Sequence, residues 1–267
     1  MYSGTTFRKN SGKIIGVHQK IDRLARRNIS LIDSKVKFPR VSSILHFEGY
    51  NGPDAIKRKS PAKNEPWHFI SPYDVDDNEL IKAITLHYEN LVESLKSDNI
   101  ERASFEAAWL AHALVDGLTP AHHYPYEEKL EELRMGQGRE TRDSLKNRLI
   151  MSGEKKRHII NNNWKMWGPK GLFITHAAFE IGVAGIMAPL SFKKSVPTDE
   201  EINLFSLGID KWYRQIAQEI ASHGLYDEFY QHGWTISLSS KIRKYLAPVL
   251  IKTVTVAWYN AAIDARK

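Results

Sequence analysis

The chain has no cysteine among its 267 residues. That excludes disulfides, thiolate metal sites, iron–sulfur clusters and cysteine nucleophiles together. Any metal must be held by His, Asp and Glu. A charge-free apolar run long enough to cross a membrane is also missing. The longest low-charge stretch, 172–190, contains His176, Glu180, two glycines and a proline. It reads as a buried helix of a globular protein and not as a membrane span. The first twenty residues have no apolar core of the kind a secretion signal carries. The reading is a cytoplasmic protein with no transmembrane segment. Internal repeats, low-complexity tracts and cleanly alternating strand patterns are absent too.

What is present is ordinary globular composition, 42% hydrophobic and 26% charged, which excludes wholesale disorder. Lys plus Arg number 38 against 31 Asp plus Glu, a net charge of +7. This balance suits an anionic partner without naming one.

Apolar spacing predicts helices over 12–33, 79–97, 100–118, 126–135, 154–166, 171–188, 199–222 and 240–264. Between them, 34–78 is broken by Pro39, Pro53, Pro61, Pro66 and Pro72. It reads as a long loop, and loops of that length often carry function. The charged segment 136–155, with Arg139, Glu140, Arg142 and Asp143, reads as a mobile insertion or lid. The predicted fold is all-α, one multi-helix domain over 1–267.

Two apolar helices each contain one isolated His–carboxylate pair. In Ala107–Leu118 the ionisable groups are His112 and Asp116; in 172–190 they are His176 and Glu180. A spacing of four puts both members on one helical face. A single such pair is most often a core hydrogen bond. A buried carboxylate is costly unless paired or bound to metal, and two such pairs match how helical proteins build metal sites. His122 and His123 add imidazoles just after the first pair. Imidazole with carboxylate suits zinc, with manganese or iron as competitors.

The stretch His112-Ala-Leu-Val-Asp116-Gly-Leu-Thr-Pro120-Ala-His122 resembles the H-x-x-x-D-x-x-x-P-x-H signature of the zinc-dependent phospholipase C and S1/P1 nuclease superfamily. The order of the other family positions is matched by His18, by Asp54 after Pro53, by His68 before Phe69, and by His176 with Glu180. The resemblance implies an all-helical fold with a metal cluster in a cleft between helices. One zinc would be held by Asp54, His68, His112 and Asp116. A second would be held by His122, His176 and Glu180. A third would be held by His18, a bridging Asp116, and the amine and carbonyl of the N-terminal Trp that secreted members carry; here the chain has Met1-Tyr2. Two or three zinc ions are therefore expected.

The implied activity is phosphodiester hydrolysis, with a metal-bound hydroxide attacking phosphorus and Asp54 as catalytic general base. Glu180 and the fourteen-residue step from Asp54 to His68 lean toward the phospholipase C branch. A phospholipid is thus expected over single-stranded nucleic acid. An S1/P1-type nuclease and a metal-stabilised domain that binds lipid or a partner stay open. Candidates for the cleft rim are Trp67, Phe69, Tyr73, Tyr124 and Tyr126. The basic runs Lys57-Arg58-Lys59 and Lys155-Lys156-Arg157 suit phosphate or the surface of an anionic membrane. His46, His87, His158, His223 and His232 match no family position and are expected to pack or face solvent. His123 is placed to support a neighbouring ligand.

Overall fold

The computed structural model describes residues 1, 16–48, 51–54, 68–142 and 144–267. It is all-α, with no strand among the described residues. Helix α1 (Val17–Ile32) buries Val17, Ile21, Leu24, Ala25 and Ile29 at helical spacing. The helix also buries four polar residues, His18, Gln19, Asp22 and Asn28. Helix α2 (Val41–His46) is a short element inside the proline-rich stretch that reads as loop from sequence. Its cause is local, since Pro39 ends the extended connection just ahead of it.

Helices α3 (Glu79–Lys96) and α4 (Ile100–Gly117) form a hairpin. The Asn99 side chain accepts from the Arg102 backbone N–H at 3.1 Å and caps α4. Helix α4 is the centre of the core, buried almost all round from Ala103 to Gly117. A 3₁₀ turn, Pro120–His123, and α5 (Tyr126–Leu133) follow.

The 136–155 segment is partly packed. It holds a short helix, α6 (Leu145–Leu149), and Arg134 donates to the Asn147 carbonyl at 2.5 Å. Met151 is fully buried against Leu130 and Met166. Helices α7 (Lys156–Trp167) and α8 (Leu172–Met187) come next. Sequence reading expects the 172–190 helix to be buried. In the structure Thr175, Phe179, Val183 and Met187 are buried, while Phe173, Ile174 and Ile181 are exposed. A helix apolar on every side carries no information on which side is covered; only packing decides.

The predicted helix 199–222 is three pieces: α9 (Asp199–Asn203), a 3₁₀ turn Leu204–Leu207, and α10 (Ile209–Ser222). The break is at Gly208, whose φ of 89° lies where residues with a Cβ rarely go. Helix α11 (Leu225–His232) is absent from the sequence reading. The last unit begins earlier than predicted, with α12 (Ile236–Lys241), a π-helical turn Ile242–Leu246, and α13 (Ala247–Asp264). The widened turn sits just before Pro248, whose ring would crowd the carbonyl four residues back.

Two buried side chains tie this C-terminal half to α4. Trp258 Nε1–H donates to the Ala107 carbonyl at 3.0 Å, and the Tyr213 hydroxyl donates to the Leu114 carbonyl at 3.1 Å. A Cβ at Gly117 would fall 2.2 Å from the Tyr213 hydroxyl oxygen. Glycine there lets α10 and α3 close onto the end of α4, one residue past Asp116.

Candidate metal centre

Helix α4 presents His112 and Asp116 on one face, both almost fully buried. The two oxygens of Asp116 look toward different groups. On the Oδ2 side lie His68 Nδ1 at 2.5 Å and His112 Nε2 at 3.2 Å. Asp54 Oδ1, from the stretch between α2 and α3, lies 3.6 Å from the same His112 nitrogen. On the Oδ1 side lie His18 Nε2 of α1, at 3.1 Å, and the Met1 amino group, in direct contact. The Met1 carbonyl oxygen is 3.0 Å from His18 Nε2. The Met1 amino group in turn lies 3.3 Å from Glu180 Oε1 on α8. That oxygen is 2.9 Å from His122 Nε2 and 3.2 Å from His176 Nε2.

All the residues singled out from sequence, His18, Asp54, His68, His112, Asp116, His122, His176 and Glu180, are thus brought to one region. Asp54, His68, His112 and Asp116 form one group, and His122, His176 and Glu180 another, with their donor atoms within 4.8 Å of one another. Met1 stands between the groups. Its amine faces Asp116 and Glu180 and its carbonyl faces His18.

Several contacts hold the donors in place. His122 Nδ1–H donates to the His68 carbonyl at 3.0 Å, and the Ile70 N–H donates back to the His122 carbonyl at 3.2 Å. This clamps the loop carrying His68 to the turn carrying His122. His18 stacks on His112 with ring centroids 4.0 Å apart, and His122 stacks on His176 at 5.1 Å. His112 Nδ1–H donates to Glu48 Oε1 at 3.0 Å. A carboxylate on the far nitrogen fixes an imidazole's tautomer and orientation, leaving Nε2 free to ligate.

Glu48 escapes sequence reading, because nothing in its local pattern marks it. Asp22 is absent from the sequence reading, although His18-x-x-x-Asp22 repeats the spacing of the other two pairs. Asp22 is buried on α1, and its Oδ2 has no hydrogen-bond partner among the described residues. Burial, then the neighbouring Glu48, push its carboxyl well above the ordinary range.

The electrostatics favour cations. Burial works against charge on Asp116, but the Met1 amine and His112 outweigh it and hold this carboxyl well below the usual range. Glu180 is also held low, with burial opposed by the Met1 amine, His122 and His176. For Asp54, burial is outweighed by His112, with the same outcome. The positive partners respond in kind. Burial lowers His112, yet Asp116, Glu48 and Asp54 together raise it well above 6.5. The Met1 amine is raised from 8.0 to about 10 by Asp116, Glu180 and Asp54 against its burial. His122, by contrast, is pushed down to about 4 by burial and the Met1 amine, so it is neutral at pH 7.

This donor set fits a metal ion. Buried His112 Nε2 has no hydrogen-bond partner among the described residues although it faces two carboxylates. Donors on a tetrahedral zinc stand about 3.3 Å apart, given bonds of about 2.0–2.1 Å. The 3.2 and 3.6 Å separations around His112 bracket that spacing. The clusters of buried His, Asp and Glu could bind metal.

Of the rim candidates, Phe69 and Tyr126 are near: Phe69 contacts the His122 ring at 4.8 Å, and Tyr126 the His176 ring at 5.2 Å. Tyr124 packs on Tyr226 beside a cavity of about 270 Å³. Tyr73 is exposed and its hydroxyl donates to the Gln218 carbonyl on α10. Trp67, Lys57, Arg58, Lys59 and Asp143 lie outside the described residues. His123 supports the fold, donating from Nε2 to the Gly117 carbonyl at 2.8 Å. His87 pairs with the buried Glu106. No known protein family matches this chain, and no functionally characterised protein matches it.

Proposed function

We propose that the chain is a zinc-dependent phosphodiester hydrolase of the phospholipase C type. The observation that carries the reading is Asp116, whose Oδ2 faces His68 and His112 while its Oδ1 faces His18 and the Met1 amine. One zinc would be held by Asp54, His68, His112 and Asp116, and a second by His122, His176 and Glu180. His18, Asp116 and the amine and carbonyl of Met1 offer a third place. An all-nitrogen-and-oxygen donor set suits zinc.

Bound ions supply Lewis acidity toward a phosphoryl oxygen and toward the water that attacks phosphorus. The chain's own residues set the geometry. Asp116, between the His68–His112 side and the His18–Met1 side, ties those two places together. Glu48 holds the His112 ring. Asp54 is the more exposed carboxylate of its group, at 28% of its side chain, and stays ionised. A carboxylate held so low is a weak base. Its part is to orient the water and pass the proton outward, not to keep it.

A single-strand nuclease is the second reading. It draws on the Phe69–Tyr126 ring pair, nearly parallel beside His176, which offers a face for a stacked base.

The test is turnover by zinc-loaded protein on a phosphatidylcholine and on single-stranded DNA, with His112→Ala alongside. Hydrolysis of the lipid, abolished by chelator and by the substitution, is expected. DNA cleavage alone moves the second reading forward. No hydrolysis of either by protein with full metal content overturns both.

A further inference from the structure

We propose that the α7–α8 hairpin is a docking face for an anionic lipid bilayer. Between Glu154 and Asp199 the chain has seven Lys and Arg residues (Lys155, Lys156, Arg157, Lys165, Lys170, Lys193, Lys194) and one acid, Glu180. That is +6 of the whole chain's +7. All seven cations are exposed. Glu180 is turned inward onto His122 and His176. Five of these cations lie on or at the edge of the hairpin and two follow it, so this stretch shows solvent positive charge without a compensating acid of its own.

The same hairpin exposes large apolar side chains. Ile160 and Trp164 lie one turn apart on α7, at 70% and 67% exposure, with Arg157 beside them. On α8 the exposed residues are Phe173, Ile174 and Ile181, with Ala178 on the same side. The side formed by Ile174, Ala178 and Ile181 is turned away from the buried Phe179 and Val183. The Trp167–Phe173 ring contact, 5.0 Å, ties the two helices together. The most apolar window of Lys156–Met187 is only 33% buried, against 67% for that of Ile236–Asp264. Both stretches have the composition of core helices; the first is left mostly uncovered.

Apolar residues flanked by Lys and Arg are what an interfacial helix needs. The apolar face enters the acyl boundary and the cations meet anionic headgroups. Trp164 is suited to the boundary itself. Single-stranded nucleic acid would use the charge but gains little from isoleucines, which have no ring face to stack. Three of the five exposed residues are isoleucine, so a bilayer fits better. The hairpin lies on a bilayer and does not cross it, because α7 carries Arg157, three asparagines and Lys165. The docking stands on this surface alone. Its use in delivering lipid to His176 and Glu180, on another side of α8, rests on the hydrolase reading.

The test is co-sedimentation of the full chain with vesicles of phosphatidylcholine alone or phosphatidylcholine containing phosphatidylglycerol. Binding to the anionic vesicles only, weakened by salt, is expected. Ile160→Asp with Trp164→Asp should weaken it by about tenfold or more. Lys156→Gln and Arg157→Gln should each weaken it by about fivefold. All these positions are exposed, and an unchanged melting temperature verifies the fold of each variant. Absent binding, equal binding to both vesicles, variants that bind like the parent, or displacement by a single-stranded oligonucleotide each overturn the proposal. Hydrolysis of a soluble short-chain phosphodiester, measured in parallel, reports on the metal site alone. Failure of one reading is therefore distinguishable from failure of the other.

Discussion

The Met1 carbonyl oxygen lies 3.0 Å from His18 Nε2, with the Met1 amine against Asp116 on the other side. A backbone amine and a backbone carbonyl thus stand among the side-chain donors. Adding one glycine ahead of Met1 turns the amine into an amide, which binds metal poorly. We expect the extended protein to hold one metal ion fewer per chain by elemental mass spectrometry. Equal stoichiometry in both proteins would remove Met1 from the ligand set.

Asp116 is shared between the His68–His112 side and the His18–Met1 side, so Asp116→Asn should affect both. A ligand that binds only the folded state at about 100 times its Kd stabilises by about 2.7 kcal/mol. Chelator should lower the melting temperature of the parent protein and leave that of Asp116→Asn nearly unmoved. A parent melting temperature insensitive to chelator would count against any metal centre.

Glu48→Gln keeps the shape but weakens the hydrogen bond from His112 Nδ1. Losing such a partner typically costs 10–100-fold in metal affinity. We expect zinc affinity to fall by about that factor in competition with a chromophoric chelator. At saturating zinc most of the activity should return. Unchanged affinity would make Glu48 a packing residue.

Stability of the metal-free protein should depend on alkaline pH through Met1. Its amine is raised from 8.0 to about 10. A group raised on folding stabilises fully below its unfolded value and loses that contribution as pH rises through the folded one. The window is therefore pH 8 to 10. Two units correspond to roughly 2–3 kcal/mol. Urea unfolding of chelated protein at the two ends of that window checks the size. The N-acetylated chain should lack the difference.

The fold was largely legible because helical periodicity is local. Helices α3 and α4 follow the apolar spacing almost to the residue. The misses have local or packing causes. Gly208 divides a helix whose pattern runs straight through it. Helix α11 is only eight residues long, with too few apolar positions to stand out. The candidate site was legible in its pairs at spacing four. Its supports were not: Glu48 reaches His112 across 64 residues, and no sequence pattern spans such a gap.

By itself, the sequence determined the all-helical class, the absence of sulfur ligands, and the His–acid pairs that one helical turn must align. These follow from composition and from the 3.6-residue period, which every short segment obeys on its own. Only the tertiary structure decided that the pairs meet, that Met1 stands between them, and that α8 covers one apolar side while leaving the other exposed. Those are outcomes of long-range packing, where many distant segments compete for the same buried surface and no single stretch of chain holds the answer.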